Sequence, residues 1–318
     1  MKILKGKFIM INNFFTHPMR IFFLMSAACA VLGASVFFTP TDFVSLHKFI
    51  FLQLFLALAY AGFLLTGLTD WTNFQASLKI HAYILFSLFF ISFILAFFSL
   101  FLAHCFIALF WLYLVLLCLY MIWQDKNDDQ FGVLGFLFGI LGFEIYYLIS
   151  GNEKFLNLQV FIHVIAILLI SYRVSVVLGK EALKREKGMD EAVFVPNFIY
   201  KNIAICCVCA FLLLNIFFEA SLGVYYAAIA CGSAVLAKLK EWHYKELFRH
   251  SFVLLYYFMQ LFLAIGFLGI GFSGIFELHL ETNFMHLIAI NAVVFSVMLI
   301  FNVAGLRHSG QEDRKSVV

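Results

Sequence analysis

About ten long apolar runs dominate this sequence and constrain what the chain can fold into. Each run is close to the roughly 20 residues that an α-helix needs to cross a hydrocarbon core about 30 Å thick. The runs occupy residues 20–39, 47–68, 80–98, 105–123, 131–149, 155–178, 197–218, 220–238, 251–272 and 284–306. Because the stretch 79–123 is about twice one crossing, we place a turn near His104 and Cys105. The sequence therefore predicts an all-α integral membrane protein, a bundle of about ten transmembrane helices.

Composition supports the membrane interpretation. The chain is 64% hydrophobic and contains 43 Phe, and only 12% of its residues are charged, against about 25% in an average soluble domain. A soluble fold would have to expose large apolar patches, which soluble monomers avoid. No phosphate-binding glycine loop or zinc-hydrolase motif occurs, and the basic residues of 180–187 suit lipid headgroups rather than nucleic acid.

The charge distribution predicts the orientation. If the N-terminus is cytoplasmic, only Lys48 and Lys154 of the 21 Lys and Arg lie on the outer side. This asymmetry follows the positive-inside rule, so both termini are expected in the cytoplasm. The first run is expected to be an uncleaved helix, because Thr39–Pro40 is a poor signal-peptide cleavage site.

One long polar loop, 179–195, interrupts the pattern. It separates helices 1–6, at about 20–178, from helices 7–10, at about 197–306. No Pro-rich or Ser-rich linker accompanies it. We therefore predict a single polytopic membrane domain over 1–318, with no separate extramembrane domain.

Several ionisable residues lie within the apolar runs, where such residues are rare and often functional. His47 and His286 begin two inward-running spans, while His163 and Glu144 lie in the outer halves of two others; His104 is expected at an outer turn. If these helices are neighbours, His47, His286, His163 and Glu144 line one outer pocket. Imidazoles suit haem iron, copper or zinc, and a carboxylate can fix their tautomer. Equally, histidines at helix ends bond to water or headgroups, and Glu144 is as well explained by a structural hydrogen bond.

Small residues give weaker signals. Four glycines at spacings of three and four form one smooth face on the span 131–149, which suits close packing of another helix or of a flat cofactor; they are Gly132, Gly135, Gly139 and Gly142. The run Cys206, Cys207 and Cys209 invites a copper-thiolate interpretation. Adjacent side chains on a helix point about 100° apart, so these cysteines are better explained as small apolar residues.

Three stretches resemble the NnrS family of polytopic membrane proteins. HPMRIFFLMSA, at 17–27, is similar to the family's Arg-Pro-Phe-Phe-Leu opening of its first helix. GFLLTGLTDWTNF, at 62–74, resembles Gly-Phe-Leu-Leu-Thr-Ala-Val-Pro-Asn-Trp-Thr-Gly. MHLIAINAVVFSVMLIFNVAGLRHSGQ, at 285–311, is similar to the family's final matched helix, with His286 and His308 at its two histidines.

The resemblance implies a function. Family members are associated with haem and copper and with the bacterial response to nitric oxide and nitrosative stress, in the cytoplasmic (inner) membrane. It implies that His47 and His286 are axial haem ligands, with Glu144 or His163 beside them. A b-type haem is expected because the chain has no Cys-x-x-Cys-His attachment motif. His308 falls on the cytoplasmic side, so it is a metal-ligand candidate for a separate site.

The chain also departs from the family's pattern. The second His and the Glu that open the family's second helix fall at Phe49 and Ile50, and a third expected His falls at Tyr257. Copper is therefore less expected than haem. The chain stops soon after His308, whereas relatives usually continue through two more helices.

A different class of function stays open. A transporter or channel for a small solute or a metal-bound species would also use about ten helices and an intramembrane Glu144. Discontinuous helices, which mark many transporters, have no signal here, because all three prolines lie at the edges of spans. The motifs assign no catalytic reaction, and binding, sensing and slow detoxification fit them equally.

Overall fold

The computed structural model describes residues 15, 17–36, 43–72, 74, 76–125, 130–186 and 194–308, apart from the side chains of 304–308. Two compact units emerge from the packing, Met1–Gln159 and Val160–Val318. We call them the N-terminal unit and the C-terminal unit, and each is described by itself.

The N-terminal unit contains five complete helices and the start of a sixth. They are α1 (Pro18–Ser35), α2 (Phe43–Trp71), α3 (Lys79–Leu95), α4 (Leu100–Asp125), α5 (Phe131–Ser150) and the first residues of α6 (Glu153–Arg185). Within this unit α1 packs on α2, α3 on α4, and α4 on both α2 and α5.

The C-terminal unit contains the rest of α6 and four further helices. They are α7 (Phe198–Phe217), α8 (Leu222–Leu239), α9 (Ser251–Ile275) and α10, which runs as Glu281–Leu287, Ile288–Val294 and Phe295–His308. Helix α9 packs against both α8 and α10, and α8 also packs against α7.

These helices confirm the predicted class. In the described part of the chain, 9 helices are long and apolar enough to span a membrane, and α3 is a shorter apolar helix of 17 residues. Large apolar side chains are exposed on the surfaces of these helices; Ile149 is 80% exposed and Trp123 is 77% exposed. Only a lipid environment makes such exposure favourable. The chain therefore forms an all-α, multi-pass membrane bundle.

The turn between α3 and α4 lies earlier than expected. Helix α4 begins at Leu100, so His104 is inside the helix and buried, rather than at the predicted outer turn. The turn is built from apolar residues, Ala96 to Phe98, and Ser99 caps α4 by accepting a hydrogen bond from the Leu102 amide at 3.4 Å. The sequence analysis placed the turn at His104 because that residue is polar. In the structure, His104 instead lies inside the bundle, where its imidazole forms a hydrogen bond with Glu144 of α5.

Helix α6 extends further than expected. It ends at Arg185, within the predicted loop 179–195. Most residues of this extension are good helix formers, and Glu181 and Arg185 form an i,i+4 ion pair at 2.8 Å.

Two helices contain π-helical segments, in which the backbone bonds run from i to i+5. The first is Phe49–Phe55 in α2 and the second is Ile288–Val294 in α10. Each packs against a glycine of the preceding helix. A Cβ at Gly33 of α1 would lie 2.6 Å from the Phe51 ring, and one at Gly266 of α9 would clash with Ile288. Glycine therefore permits the close approach of the wider π turns.

An ion pair fixes the relation of two helix starts. Lys48 Nζ lies 3.0 Å from Glu153 Oε2, which brings the starts of α2 and α6 to one end of the N-terminal unit. Both predicted outer cations, Lys48 and Lys154, are at these helix starts. The arrangement agrees with the charge pattern, and the orientation of that end toward the outside stays a prediction.

Candidate functional site

A cluster of buried polar side chains lies inside the N-terminal unit. Gln53 comes from the π segment of α2, His104 and Trp111 from α4, Glu144 from α5 and Gln159 from the start of α6. Apart from Trp111, each lies within roughly 15 Å of one end of its helix, by the rise of 1.5 Å per residue. These ends meet at the predicted outer side. We call the five residues the Glu144 cluster.

Glu144 is the centre of this cluster. Its Oε1 accepts a hydrogen bond from His104 Nδ1 at 2.6 Å. Its Oε2 accepts from Gln53 Nε2 at 2.7 Å and from Gln159 Nε2 at 3.3 Å. Glu144, Gln53 and Gln159 are fully buried and His104 is 2% exposed. Three helices therefore supply donors to one carboxyl group.

Neutral groups complete the network around Gln53. Its Oε1 accepts from the Trp111 indole N–H at 2.9 Å, and its Nε2 also donates to Gln159 Oε1 at 2.6 Å. Because a buried polar group without a partner costs about 1–3 kcal/mol, these bonds keep both amides in fixed orientations. The carboxyl group is thus held from several directions.

The imidazole of His104 is held on its faces as well as at Nδ1. The Phe49 ring meets it edge-on with a centroid distance of 4.6 Å, and the Tyr147 ring lies at the same distance on a tilt. A ring nitrogen that faces a carboxyl oxygen at 2.6 Å acts as the donor. In the neutral ring the lone pair is then on Nε2. Phe49 occupies the position at which the family resemblance expected a second histidine.

The predicted site residues of the N-terminal unit, Glu144 and His47, have different hydrogen-bond partners. Glu144 is buried as expected, but its imidazole partner is His104 rather than His47. His47 is half-buried at the start of α2, and its Nδ1 lies 3.0 Å from the Gly33 carbonyl oxygen of α1. The sequence left two interpretations of Glu144 open, a functional site and a structural hydrogen bond. The described contacts of Glu144 include hydrogen bonds to three neighbouring helices, as the structural interpretation expects.

The other predicted residues belong to the C-terminal unit. His163 is fully buried on α6. His286 is exposed on α10, with Nδ1 2.9 Å from the Thr282 carbonyl oxygen one turn earlier. His308 ends α10, and its side chain lies outside the described residues. A common pocket for His47, His286, His163 and Glu144 stays a prediction.

Sequence reasoning missed Gln53, Trp111 and Gln159. Two of the three could have been found from their position along the predicted spans. Gln53 and Gln159, like His104 and Glu144, fall near the predicted outer end of a span. A lone neutral amide in an apolar run attracts little notice, yet four polar residues at similar depth indicate a shared network.

A second buried polar group lies in the C-terminal unit, at the predicted cytoplasmic end of α8. Lys238 is 1% exposed and pairs with Glu241 at 2.8 Å and with Gln260 Oε1 at 3.1 Å. Glu241 also accepts hydrogen bonds from Ser175 Oγ at 3.2 Å and from the Asn197 amide at 3.3 Å. A cleft of about 660 Å³ adjoins Glu241 and Asn197.

The small-residue predictions have different outcomes. A Cβ on Gly135 or Gly142 of α5 would meet nothing within 4 Å among the described residues, so no described helix packs there.

The seven cysteines are free thiols. In the described part of the chain, no group of three or more His, Cys, Asp or Glu side chains could hold a metal ion.

The fold and the cluster define a class of protein: a multi-pass membrane protein whose helices bury a histidine–carboxylate pair. The family model described as NnrS protein matches residues 13–317, nearly the whole chain. The chain therefore belongs to the NnrS family, as its three motif stretches predicted. No curated relative and no solved structure matches it.

Proposed function

We propose that this NnrS-family protein binds haem b in the bacterial cytoplasmic membrane and takes part in the response to nitric oxide and nitrosative stress. In this proposal His47 and His286 supply the axial imidazoles, as the family resemblance implies. The lipid bilayer is its environment and haem its principal partner.

The observation that carries the proposal is the equivalence of the two histidines. His47 and His286 each stand two residues before a π-helical segment, and π segments are frequent at functional sites. Each Nδ1 faces a backbone carbonyl oxygen, so each ring donates through Nδ1. The neutral ring then carries its lone pair on Nε2, which is the tautomer of metal-binding histidines.

The donor set fits haem iron better than an isolated copper or zinc ion. Haem iron takes one or two protein ligands, because the porphyrin supplies the others. A protein-bound copper or zinc ion needs about three or four protein ligands, and the described residues hold no such group. When bound, haem would supply an iron to which nitric oxide can bind only in place of one of the two imidazoles. Copper, with His308 as a candidate ligand, is the weaker part of the proposal.

The test is the absorption spectrum of protein purified after expression with haem supplied. We expect a Soret band in the wild type and its loss or shift in His47→Ala and in His286→Ala. His243→Ala is the control, because His243 is exposed and lies at the other predicted end of the bundle. Absence of a Soret band from the wild type would overturn the proposal, and full retention in both variants would overturn the ligand assignment.

The alternative is a transporter for a small solute, and the π segments favour it, since they locally widen turns of α2 and α10. Uptake into proteoliposomes tests it. Solute uptake by haem-free protein that Glu144→Gln abolishes would support a transporter. Haem binding without any uptake would support the principal proposal.

A further inference from the structure

A cleft of about 660 Å³ opens in the C-terminal unit, at its predicted cytoplasmic end. Its walls come from the end of α6, the segment that leads into α7, and the connection between α8 and α9. This volume is within the range of about 300–1,000 Å³ that is typical of small-ligand sites. Neither His47 nor His286 lines it, so the proposed haem site leaves this cleft without a role.

One wall of the cleft is fixed by packing. The Phe194 ring is stacked on the fully buried Trp242 indole, with the ring centroids 5.0 Å apart. Phe194 also lies against Gly179 of α6, where a Cβ atom would clash with the ring. Glu241 lines the cleft too, and its side chain is only 4% exposed and paired with Lys238 at 2.8 Å. The wall therefore combines an aromatic surface with a carboxylate whose charge is already balanced.

Two side chains of opposite charge line the cleft without pairing. Lys240 is exposed and Glu246 is half-buried. Among the described residues, neither side chain forms a hydrogen bond or an ion pair, with the other or with any neighbour. Because Lys238 balances Glu241, one positive and one negative group remain for a ligand. A ligand that carries charges of both signs satisfies both groups, whereas a ligand of one sign is repelled by one of them.

Aromatic and apolar side chains indicate that the mouth of the cleft lies beside lipid. Tyr200 and Tyr244 line the cleft, and tyrosines are enriched at the level of lipid headgroups. Val195, which also lines it, is 71% exposed, and Phe198 and Ile199 in the first turn of α7 are 59% and 53% exposed. An acyl chain can therefore lie against α7 while its headgroup enters the cleft. A water-soluble ligand would leave this apolar surface unused.

We propose that the cleft binds the headgroup of a phospholipid that carries both a phosphate and a primary ammonium group, which is the chemistry of phosphatidylethanolamine. Lys240 contacts the phosphate, and Glu246 accepts hydrogen bonds from the ammonium group. The rings of Tyr200 and Tyr244 supply aromatic faces, which attract the same cation. The site is independent of haem binding and goes beyond the proposed function.

The experiment titrates purified full-length protein in detergent with three phospholipids that share the same acyl chains, and native mass spectrometry measures the bound lipid. The three are phosphatidylethanolamine, phosphatidylglycerol and phosphatidylcholine. We expect phosphatidylethanolamine to bind about 10-fold more tightly than either of the others, because only its headgroup can donate charge-assisted hydrogen bonds to Glu246.

Charge variants separate the two contacts. Glu246→Gln should weaken the binding of phosphatidylethanolamine about 10-fold without weakening that of phosphatidylglycerol. Lys240→Gln should weaken the binding of both lipids, because both carry the phosphate. Lys245→Gln is the matched control and should change neither, since Lys245 is exposed on the same connection but does not line the cleft. Val195→Trp, which fills the mouth of the cleft without altering any charge, should weaken the binding of all three lipids.

The outcomes decide both the site and the source of its ligand. Equal affinities of the wild type for the three lipids, or equal affinities of Glu246→Gln and Lys245→Gln for phosphatidylethanolamine, overturn the inference. Free phosphoethanolamine that displaces bound lipid as effectively as the intact lipid does overturns the assignment to a lipid and indicates a soluble ligand of the same chemistry. Haem content is measured on the same samples: haem-free protein that keeps the lipid preference overturns the proposed function alone, and haem-loaded protein without that preference overturns this inference alone.

Discussion

The indole N–H of Trp111 donates to the side-chain oxygen of Gln53 across 2.9 Å, and both residues are fully buried. This bond joins the middle of α4 to the π segment of α2. Through Gln53 it also reaches Glu144 and Gln159, so one indole anchors a network that involves four helices.

Replacing Trp111 by Phe tests the strength of this anchor. The variant leaves Gln53 Oε1 buried without its donor, which costs about 1–3 kcal/mol of unfolding free energy. Denaturation in mixed micelles measures the change. Trp123→Phe on the same helix is the control, because Trp123 is 77% exposed; equal losses in both variants would contradict the role of the bond.

Lys238 and Glu241 form an ion pair whose side chains are only 1% and 4% exposed. Lys238→Met leaves a buried carboxyl group unpaired, and we expect a loss of about 3–5 kcal/mol. The double variant Lys238→Met/Glu241→Gln should recover part of it. Lys48→Met breaks the exposed pair with Glu153 and should cost at most about 1 kcal/mol; a loss as large as that of Lys238→Met would refute the burial argument.

Gly266→Ala and Gly135→Ala should have opposite effects. A Cβ at Gly266 meets Ile288 of the π segment in α10, so the helices must separate, at a cost of about 1–3 kcal/mol. A Cβ at Gly135 meets nothing within 4 Å, and alanine improves helix propensity by about 1 kcal/mol. Thermal stability in one detergent measures both, and destabilisation by Gly135→Ala would show that this face is covered.

The predicted orientation can be measured with a membrane-impermeant maleimide. Asn152→Cys, at the end that carries Lys48 and Glu153, should react in intact cells. Tyr244→Cys, which replaces a side chain that is 60% exposed at the opposite predicted end, should react only after lysis. The native cysteines lie in membrane spans and should stay unreactive. The reverse pattern would invert the topology.

Much of the fold follows from the sequence, because hydrophobic length alone specifies a crossing helix. The α3–α4 turn did not, since Ala96 to Phe98 carry no glycine, proline or charge. The π segments could not be predicted either. Their widened turns depend on packing against Gly33 and Gly266, and a single sequence contains no periodic signal for them.

The site was predicted only in part. Glu144 and the outer depth of the histidines were evident, because ionisable residues stand out in apolar runs. The partner of Glu144 was not, since it depends on which helix faces α5. His104 was noticed for its position at a supposed turn, yet its burial inside α4 gives it its role.

The π segment of α2 also shows how this helix accommodates residue count. Successive residues of an ordinary α-helix are about 100° apart around the axis, and the wider turns of Phe49–Phe55 take up about one extra residue while the turns on either side keep their phase. Deleting one residue from Phe49–Phe55 would let the helix relax to a regular pitch and leave His47 at nearly the same angle around the axis relative to Tyr60. A change of one residue inside this segment is therefore expected to preserve the direction of the His47 side chain, whereas the same change in a regular α-helical part of α2 would rotate it by about 100°.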